Sequence, residues 1–231
     1  MDIAPGVVSG EEDLCAPYLS SLPITGVAVS LFGGTAAETL VAASDDLAAR
    51  LDELQFKLGE GPRLRALKTR LPVLLGDAQK TVSGEWPMFH KAIEGTAAAA
   101  LFVFPLTIGA VDLGVVELYH AVPGDLSRAD QSTAAVLAGQ TAWYLLRKTL
   151  NVNSPETDPA LEPALMSRRE IHQATGMVLA QSGTTAAESL LLLRAHAFAN
   201  DLTLKATAAA VLERRLSFEP RDGGAGKHAL Q

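Results

Sequence analysis

The sequence predicts two bodies of different class: an α+β domain, an antiparallel sheet flanked by helices, over residues 1–150, and an all-α module of three helices over residues 163–218. Three observations carry this. Segments of strand period recur through the first 150 residues, Ala99–Leu106 and Leu113–His120 being the clearest. No strand-like segment follows Pro163. Between the two, Asn151-Val-Asn-Ser-Pro-Glu-Thr-Asp-Pro-Ala-Leu-Glu-Pro163 is rich in Pro, Asn and acidic residues and lacks apolar periodicity, so 151–162 reads as a linker.

The elements follow in order. Gly26–Phe32 alternates small or polar with apolar residues and stops at Gly33-Gly34, and Glu38–Ser44 returns as its hairpin partner. Asp45 caps a short helix towards Leu54, Leu58-Gly-Glu-Gly-Pro62 is a turn, and Arg63–Thr69 is a second short helix. Pro72–Leu75 fits a short strand, and Ser83–Glu94 fits a helix with Pro87 in its first turn, where a missing N–H costs least. The two clear strands are joined by Ile108-Gly-Ala-Val-Asp112, after which Ser127, with Asp130 as reciprocal partner, caps a long helix running to about Leu150. On that helix Ala134, Leu137, Ala138, Thr141, Leu145 and Lys148 form a stripe suited to helix pairing. In the second body Leu165–Gln181 is helical and ends near Gly183. Thr184 or Thr185 caps a helix to about Ala199 with Glu188 in its first turn, and Thr203 begins a third that reaches about Leu216. The glycine-bearing tail 219–231 is expected to be disordered.

At 48% hydrophobic residues the chain can build a sizeable core, while its longest apolar run, Thr96–Gly109, is broken by Pro105 and is too short for a bilayer. The acidic start, with Asp2, Glu11, Glu12 and Asp13, is unlike a secretion signal, so the protein is expected in the cytoplasm and off the membrane. A single cysteine, Cys15, excludes an internal disulfide and a cysteine-built zinc cage, and its acidic neighbours disfavour a redox role. Five histidines without metal-ligand spacing point to no metal site, and no cofactor is implied. No G-x-S-x-G elbow is present, and Leu58-Gly-Glu-Gly-Pro62 lacks the Lys-Ser/Thr of a phosphate loop, so no enzyme reading survives. A net charge of −7 argues against nucleic-acid binding by the whole surface but permits one locally basic face.

Arg168-Arg-Glu-Ile-His-Gln-Ala-Thr-Gly-Met-Val-Leu-Ala-Gln181, then Thr184-Thr-Ala-Ala-Glu-Ser-Leu190 and Leu192-Leu-Arg-Ala-His-Ala-Phe-Ala199 with Leu204, resemble the ANTAR domain of transcription antitermination regulators. The resemblance implies helices that bind paired RNA hairpins in nascent transcripts, usually as a homodimer. Leu58-Gly-Glu-Gly-Pro62, Trp86-Pro87, Phe104-Pro-Leu106 and Leu113-Gly-Val-Val-Glu-Leu-Tyr119 resemble a GAF sensor domain, the input module that actinobacterial regulators of this kind carry. That resemblance implies a small-molecule ligand or a partner held between sheet and helices, with Trp86, Phe89, His90 and Tyr119 (and beside it His120) the residues to inspect.

On the first ANTAR-like helix Ile171, Ala174, Val178 and Gln181 recur at helical spacing, and Ile171, Leu179, Leu190 and Leu193 are expected in the core. The polar residues expected outside, and so expected to meet RNA, are Arg168, Arg169, His172, Thr175, Arg194, His196 and Lys205, with Arg214 and Arg215 nearby. Three positions depart from the family pattern: Thr175 stands where lysine is usual, Asp201-Leu202 where a basic residue is common, and His196 where an aromatic is frequent. Two other readings remain open: a dimerisation or protein-docking module with decayed RNA binding, and a helix-turn-helix DNA binder.

Overall fold

The computed structural model describes residues 13–32, 38–80, 84–150 and 162–219, and the chain divides into two compact units, one ending at Glu162 and the other starting at Pro163. The expected linker and tail lie outside the described residues except for Glu162 and Glu219.

The first unit is a five-stranded antiparallel sheet in the order β2-β1-β5-β4-β3, built from β1 (Gly26–Phe32), β2 (Glu38–Ala43), β3 (Val73–Leu75), β4 (Ala100–Ile108) and β5 (Val111–His120). The two-residue turn between β4 and β5 has Gly109 at φ 56°, a conformation that favours glycine at the first turn position. Gly114 lets β5 approach β1, because an added Cβ would lie 1.9 Å from the Ser30 carbonyl oxygen.

The alternation of side chains divides the unit. One sheet face, with Val27, Val29, Phe102, Phe104, Val116 and Leu118, packs on α1 (Ala16–Ser21) and on α5 (Arg128–Leu150). The α5 stripe expected to pair with another helix is instead the surface laid on this sheet: Ala134, Ala138 and Leu145 are buried in the core, and Thr141 is hydrogen-bonded to the Tyr18 hydroxyl at 2.8 Å. Of that stripe Lys148 alone is exposed, and Leu137 is half-buried against the same core. The reason is the apolar sheet face, which these small residues let the helix approach closely.

The other face turns to α2 (Asp46–Leu58) and α3 (Pro62–Thr69). Asp45 caps α2 by accepting the Ala48 N–H at 2.9 Å, and Gly59 ends it with φ 67°, so the helix runs a full turn beyond the expected Leu54. α4 (Pro87–Ile93) begins at Pro87, which supplies the first helical position; Ser83, the start expected from the sequence, lies outside the described residues. Ser127 and Asp130 make the expected reciprocal cap of α5, the Asp130 N–H donating to Ser127 Oγ at 3.1 Å and the Ser127 N–H to Asp130 Oδ2 at 3.3 Å.

The second unit is all helical: α6 (Glu162–Ser182), α7 (Ala186–Ala199) and α8 (Leu204–Leu212). Gly183 ends α6 at φ 68°; Thr185 and Glu188 form a reciprocal capping box at the start of α7. α8 is capped by Thr203 and stops at Leu212, short of Leu216, with Arg214 in a left-handed conformation at φ 59°. Ile171, Ala174, Val178, Leu193, Ala197, Leu204, Ala208 and Val211 are its buried apolar residues. Leu179, expected in this core, is 39% exposed, since it follows Val178 by a single 100° step round the helix.

Candidate functional site

On the sheet face under α2 and α3 lies a polar network that the sequence reading did not single out. α2 presents Asp52 and Gln55 towards β1 and β5, and α3 opens with Arg63. Ser30 Oγ donates to Asp52 Oδ1 at 2.6 Å; Gln55 Nε2 donates to Glu117 Oε1, while Gln55 Oε1 accepts the Arg63 N–H at 2.9 Å. The Arg63 guanidinium pairs with Asp52 and with Glu38 of β2, and stands 5.1 Å over the Phe32 ring. Arg63, Asp52, Gln55, Glu117 and Ser30 are all buried; Glu38 is the member water reaches. Burial alone would discourage the Arg63 charge, but Asp52, Glu38 and Glu117 outweigh it and raise the guanidinium pKa above its ordinary value. One cation thus joins two strands and two helices. The signals were present: Glu117 interrupts the apolar run Val115-Val-Glu-Leu-Tyr119, and Asp52 and Gln55 share the side of α2 that buries Leu51 and Phe56.

Trp86, Phe89 and His90 come together on α4. Phe89 and Trp86 are buried, and the half-buried His90 ring lies 6.2 Å from Trp86 and 6.1 Å from Phe89. The turn Leu58–Pro62 explains the placement, since Glu60 Oε1 accepts the Phe89 N–H at 2.7 Å and so caps this short helix. Trp86 also borders a shallow cleft with Leu64, Arg65, Lys68 and Glu85, crossed by an Arg65–Glu85 ion pair of 2.7 Å. Tyr119 is held separately: its hydroxyl donates to Asp45 Oδ1 at 3.1 Å, and burial, then the Asp45 charge, pushes its pKa to about 12. His120 Nδ1 is 3.0 Å from Thr25 Oγ1. Cys15 is buried, and desolvation followed by the Asp13 and Asp45 charges raises its thiol to about 12. Among the described residues no group of three or more His, Cys, Asp or Glu is placed to hold a metal ion.

In the second unit the structure separates the expected RNA-facing residues. Arg169 and Lys205 are exposed, while His172, Arg194 and His196 are half-buried. Arg168 and Thr175, expected outside, are buried at 2% and 4% exposure. Helical period is the cause: Arg168, Ile171, Thr175 and Val178 follow at steps of three, four and three, so both polar residues lie on the buried face of α6. Thr175 satisfies its hydroxyl by donating to the Ile171 carbonyl at 2.7 Å. His196 meets Phe218 edge-on, with ring centroids 5.7 Å apart, and the Phe218 N–H donates to Gln181 Oε1 at 2.9 Å. Arg214 and Arg215 are exposed, and Arg215 is ion-paired with Glu213 at 2.5 Å.

The opposite, exposed side of α6 carries Arg169, Gln173, Gly176 and Ala180, and above Gly176 an added Cβ would meet nothing within 4 Å. On α7 the outer face is apolar: Leu191 is 63% exposed and Phe198 75%. Gln173 and Phe198 were legible as the outward members of their helices once the buried stripes were phased.

Compared with known proteins, the chain matches the model of the GAF domain over residues 21–145 and that of the ANTAR domain over residues 160–212. No curated protein matches it. Among solved structures it resembles a domain assigned to a two-component sensor histidine kinase protein of Sinorhizobium meliloti 1021 at 20% identity, with 60% of this chain and 90% of that chain covered and a TM-score of 0.48. It also resembles the GAF domain of the cyanobacteriochrome TePixJ at 18% identity, with 59% and 86% covered and a TM-score of 0.46. A third similarity is to the GAF domain/HD domain protein of Geobacter sulfurreducens at 16% identity, with 61% and 93% covered and a TM-score of 0.48.

Proposed function

Because this chain belongs to the GAF domain family and carries an ANTAR domain behind its GAF domain, we propose that it is a signal-responsive antitermination regulator acting on paired RNA hairpins in nascent transcripts. A GAF domain is a sensory domain and an ANTAR domain an RNA-binding antitermination domain, so the chain is a regulator. In our reading residues 1–150 sense a small ligand or a partner and residues 163–218 bind RNA. The protein works as a homodimer in the cytoplasm and carries out no catalysis. No helix among the described residues is long and apolar enough to cross a membrane.

The observation that carries the RNA reading is the exposed stripe of α6, Arg169, Gln173 and Gly176, within the matched ANTAR segment. Arginine supplies charge, glutamine an amide able to donate and accept, and glycine room for a backbone or base to approach. Lys205 and Arg214 add exposed cations on and just after α8. With about three such cations per copy, a pair neutralises about six phosphates, and the plot of log K against log salt falls with a slope of about −4 to −5. A gel shift of the full chain on a paired-hairpin leader RNA, at several salt concentrations and against duplex DNA, tests this. Salt-sensitive binding to the RNA in preference to DNA is expected; absence of binding to any paired-hairpin RNA would refute it.

A second reading, a protein-docking module without RNA binding, is favoured by one observation. α7 has apolar residues on its outer as well as its inner face, with Leu191 and Phe198 open to water and only Glu188, Ser189, Arg194 and His196 polar along it. The same gel shift separates the two.

A further inference from the structure

The segment matched to the ANTAR domain ends at residue 212, where α8 also ends. The residues that follow do not leave the unit. Arg214, at φ 59°, turns the chain in a conformation that side chains with a Cβ rarely adopt. The N–H groups of Arg215 and Leu216 donate back to the Ala210 carbonyl at 2.8 and 3.0 Å. The chain then reaches the ends of the other two helices. The Phe218 N–H donates to Gln181 Oε1 at the end of α6, and the Phe218 ring meets His196, in the last turn of α7, edge-on.

Core packing alone does not account for this pair. The phenylalanines that serve the core of the first unit, Phe56, Phe89, Phe102 and Phe104, are at most 1% exposed. His196 and Phe218 are each half-buried, so every ring is held by the other and still reaches water. Their place beside α6 is specific. The exposed series Arg169, Gln173, Gly176 and Ala180 runs along about 16 Å of helix. Gln181, which holds Phe218, comes one residue after Ala180. The series therefore begins at a cation and ends beside two aromatic rings. An RNA hairpin offers the matching pair of features, phosphates along its stem and unstacked bases in its loop.

We propose that His196 and Phe218 together hold one unstacked base of the RNA loop, with Phe218 supplying aromatic surface from outside the matched ANTAR segment. The surroundings decide the class of partner. Arg214, Arg215 and Ser217 are exposed on the same segment, and Asn200 Nδ2 donates to the His196 carbonyl at 2.8 Å. This polar setting suits a base, whereas the outer face of α7, with Leu191 and Phe198, is apolar. The inference rests on the RNA reading and adds to it a base contact, where Arg169 supplies contact to phosphate.

The test removes the ring and the base in turn, using the full chain. Wild type and Phe218→Ala are titrated with a paired-hairpin leader RNA, and with versions carrying an abasic site at one loop position at a time. Phe218→Ala should lower affinity for the intact RNA about 5- to 100-fold, and at one loop position the abasic RNA should show no further loss. Phe218→Trp, which keeps the stacking surface, should retain binding. Phe198→Ala, about 200° round α7 from His196, should bind as wild type does. A wild type that binds none of these RNAs overturns the RNA reading and the inference with it. A wild type that binds, while Phe218→Ala loses equally on the intact and on every abasic RNA, overturns the inference alone. So does a Phe218→Ala variant that binds as tightly as wild type or more tightly, or a Phe198→Ala loss as large as that of Phe218→Ala.

Discussion

The Arg63 guanidinium and the Asp52 carboxylate face one another with both side chains wholly withdrawn from water, in the same cluster where Arg63 also meets Glu38. The two partners are not equivalent. Removing Asp52 leaves Arg63 with Glu38 and with the field of Glu117, whereas removing Arg63 leaves three carboxylates on one face without their cation. We expect Arg63→Met to destabilise the first unit by about 3–5 kcal/mol, the cost of leaving buried charge uncompensated. Asp52→Asn, which keeps the shape, should cost about 1.5–3 kcal/mol. Urea denaturation of both variants checks the order; an Asp52→Asn loss exceeding that of Arg63→Met would contradict it.

Cys15 lies in the core with its Sγ 3.7 Å from the Val27 carbonyl oxygen, and its thiol pKa is pushed up to about 12. At pH 8 only about one part in 10,000 of such a thiol is thiolate, and burial blocks access as well. A thiol reagent such as DTNB should therefore leave the native protein unlabelled over hours and label it promptly in urea. Full labelling within minutes under native conditions would show that this segment opens readily.

At the start of α7 the Thr185 N–H donates to Glu188 Oε2 at 2.8 Å while the Glu188 N–H donates to Thr185 Oγ1 at 3.3 Å. The hydrogen bonds from Thr185, backbone first, hold the Glu188 carboxyl below its ordinary value. A depressed carboxylate stabilises the folded state above its unfolded pKa of about 4.3, and that contribution fades as pH falls through the lower folded value. Glu188→Gln removes the titration but can still accept the capping bond. Wild type should be the more stable of the two at pH 7, and the gap should close below about pH 4. A gap that is constant from pH 7 to pH 3 would exclude this linkage.

What was legible in the sequence depended on how local the physics was. The reciprocal cap of Ser127 with Asp130 joins residues three apart, so it shows in the sequence and holds in the structure, whereas at α7 the sequence left the cap open between Thr184 and Thr185 and the structure makes it a box of Thr185 with Glu188. Both resemblances, GAF and ANTAR, rested on ordered motifs and stand. The Arg63 network joins residues from Glu38 to Glu117, and no local pattern announces that four charged groups will meet inside. Arg168 and Thr175 failed for another reason. Their period placed them with Ile171 and Val178, but their polarity suggested water, and the period was the better guide. The α5 stripe shows the same conflict in reverse: small residues read as a pairing face were the ones the sheet needed.

Arg168 and Arg169, adjacent in sequence, should therefore behave as different residues. Arg168 is 2% exposed and Arg169 is open to solvent. Arg168→Ala removes buried volume and a buried charge together and should lower the stability of the second unit by about 2–4 kcal/mol, with any loss of RNA binding following the loss of fold. Arg169→Ala should leave the melting temperature nearly unchanged, weaken RNA binding similarly across sequences, and reduce the salt slope by about 1 per copy. Gly176→Ala separates fold from binding in the opposite sense. Its Cβ enters open space, so helix propensity should stabilise the unit by about 1 kcal/mol, while the methyl group stands where the RNA would approach and weakens binding. Thr175→Lys, which restores the usual cation of the motif, should destabilise by about 1–3 kcal/mol, because the position is buried and the native hydroxyl is satisfied within its own helix. Thermal melts paired with RNA titrations at two salt concentrations test all four. An Arg169→Ala variant that binds RNA as wild type does, with the same salt slope, would remove the exposed stripe of α6 from the RNA interface.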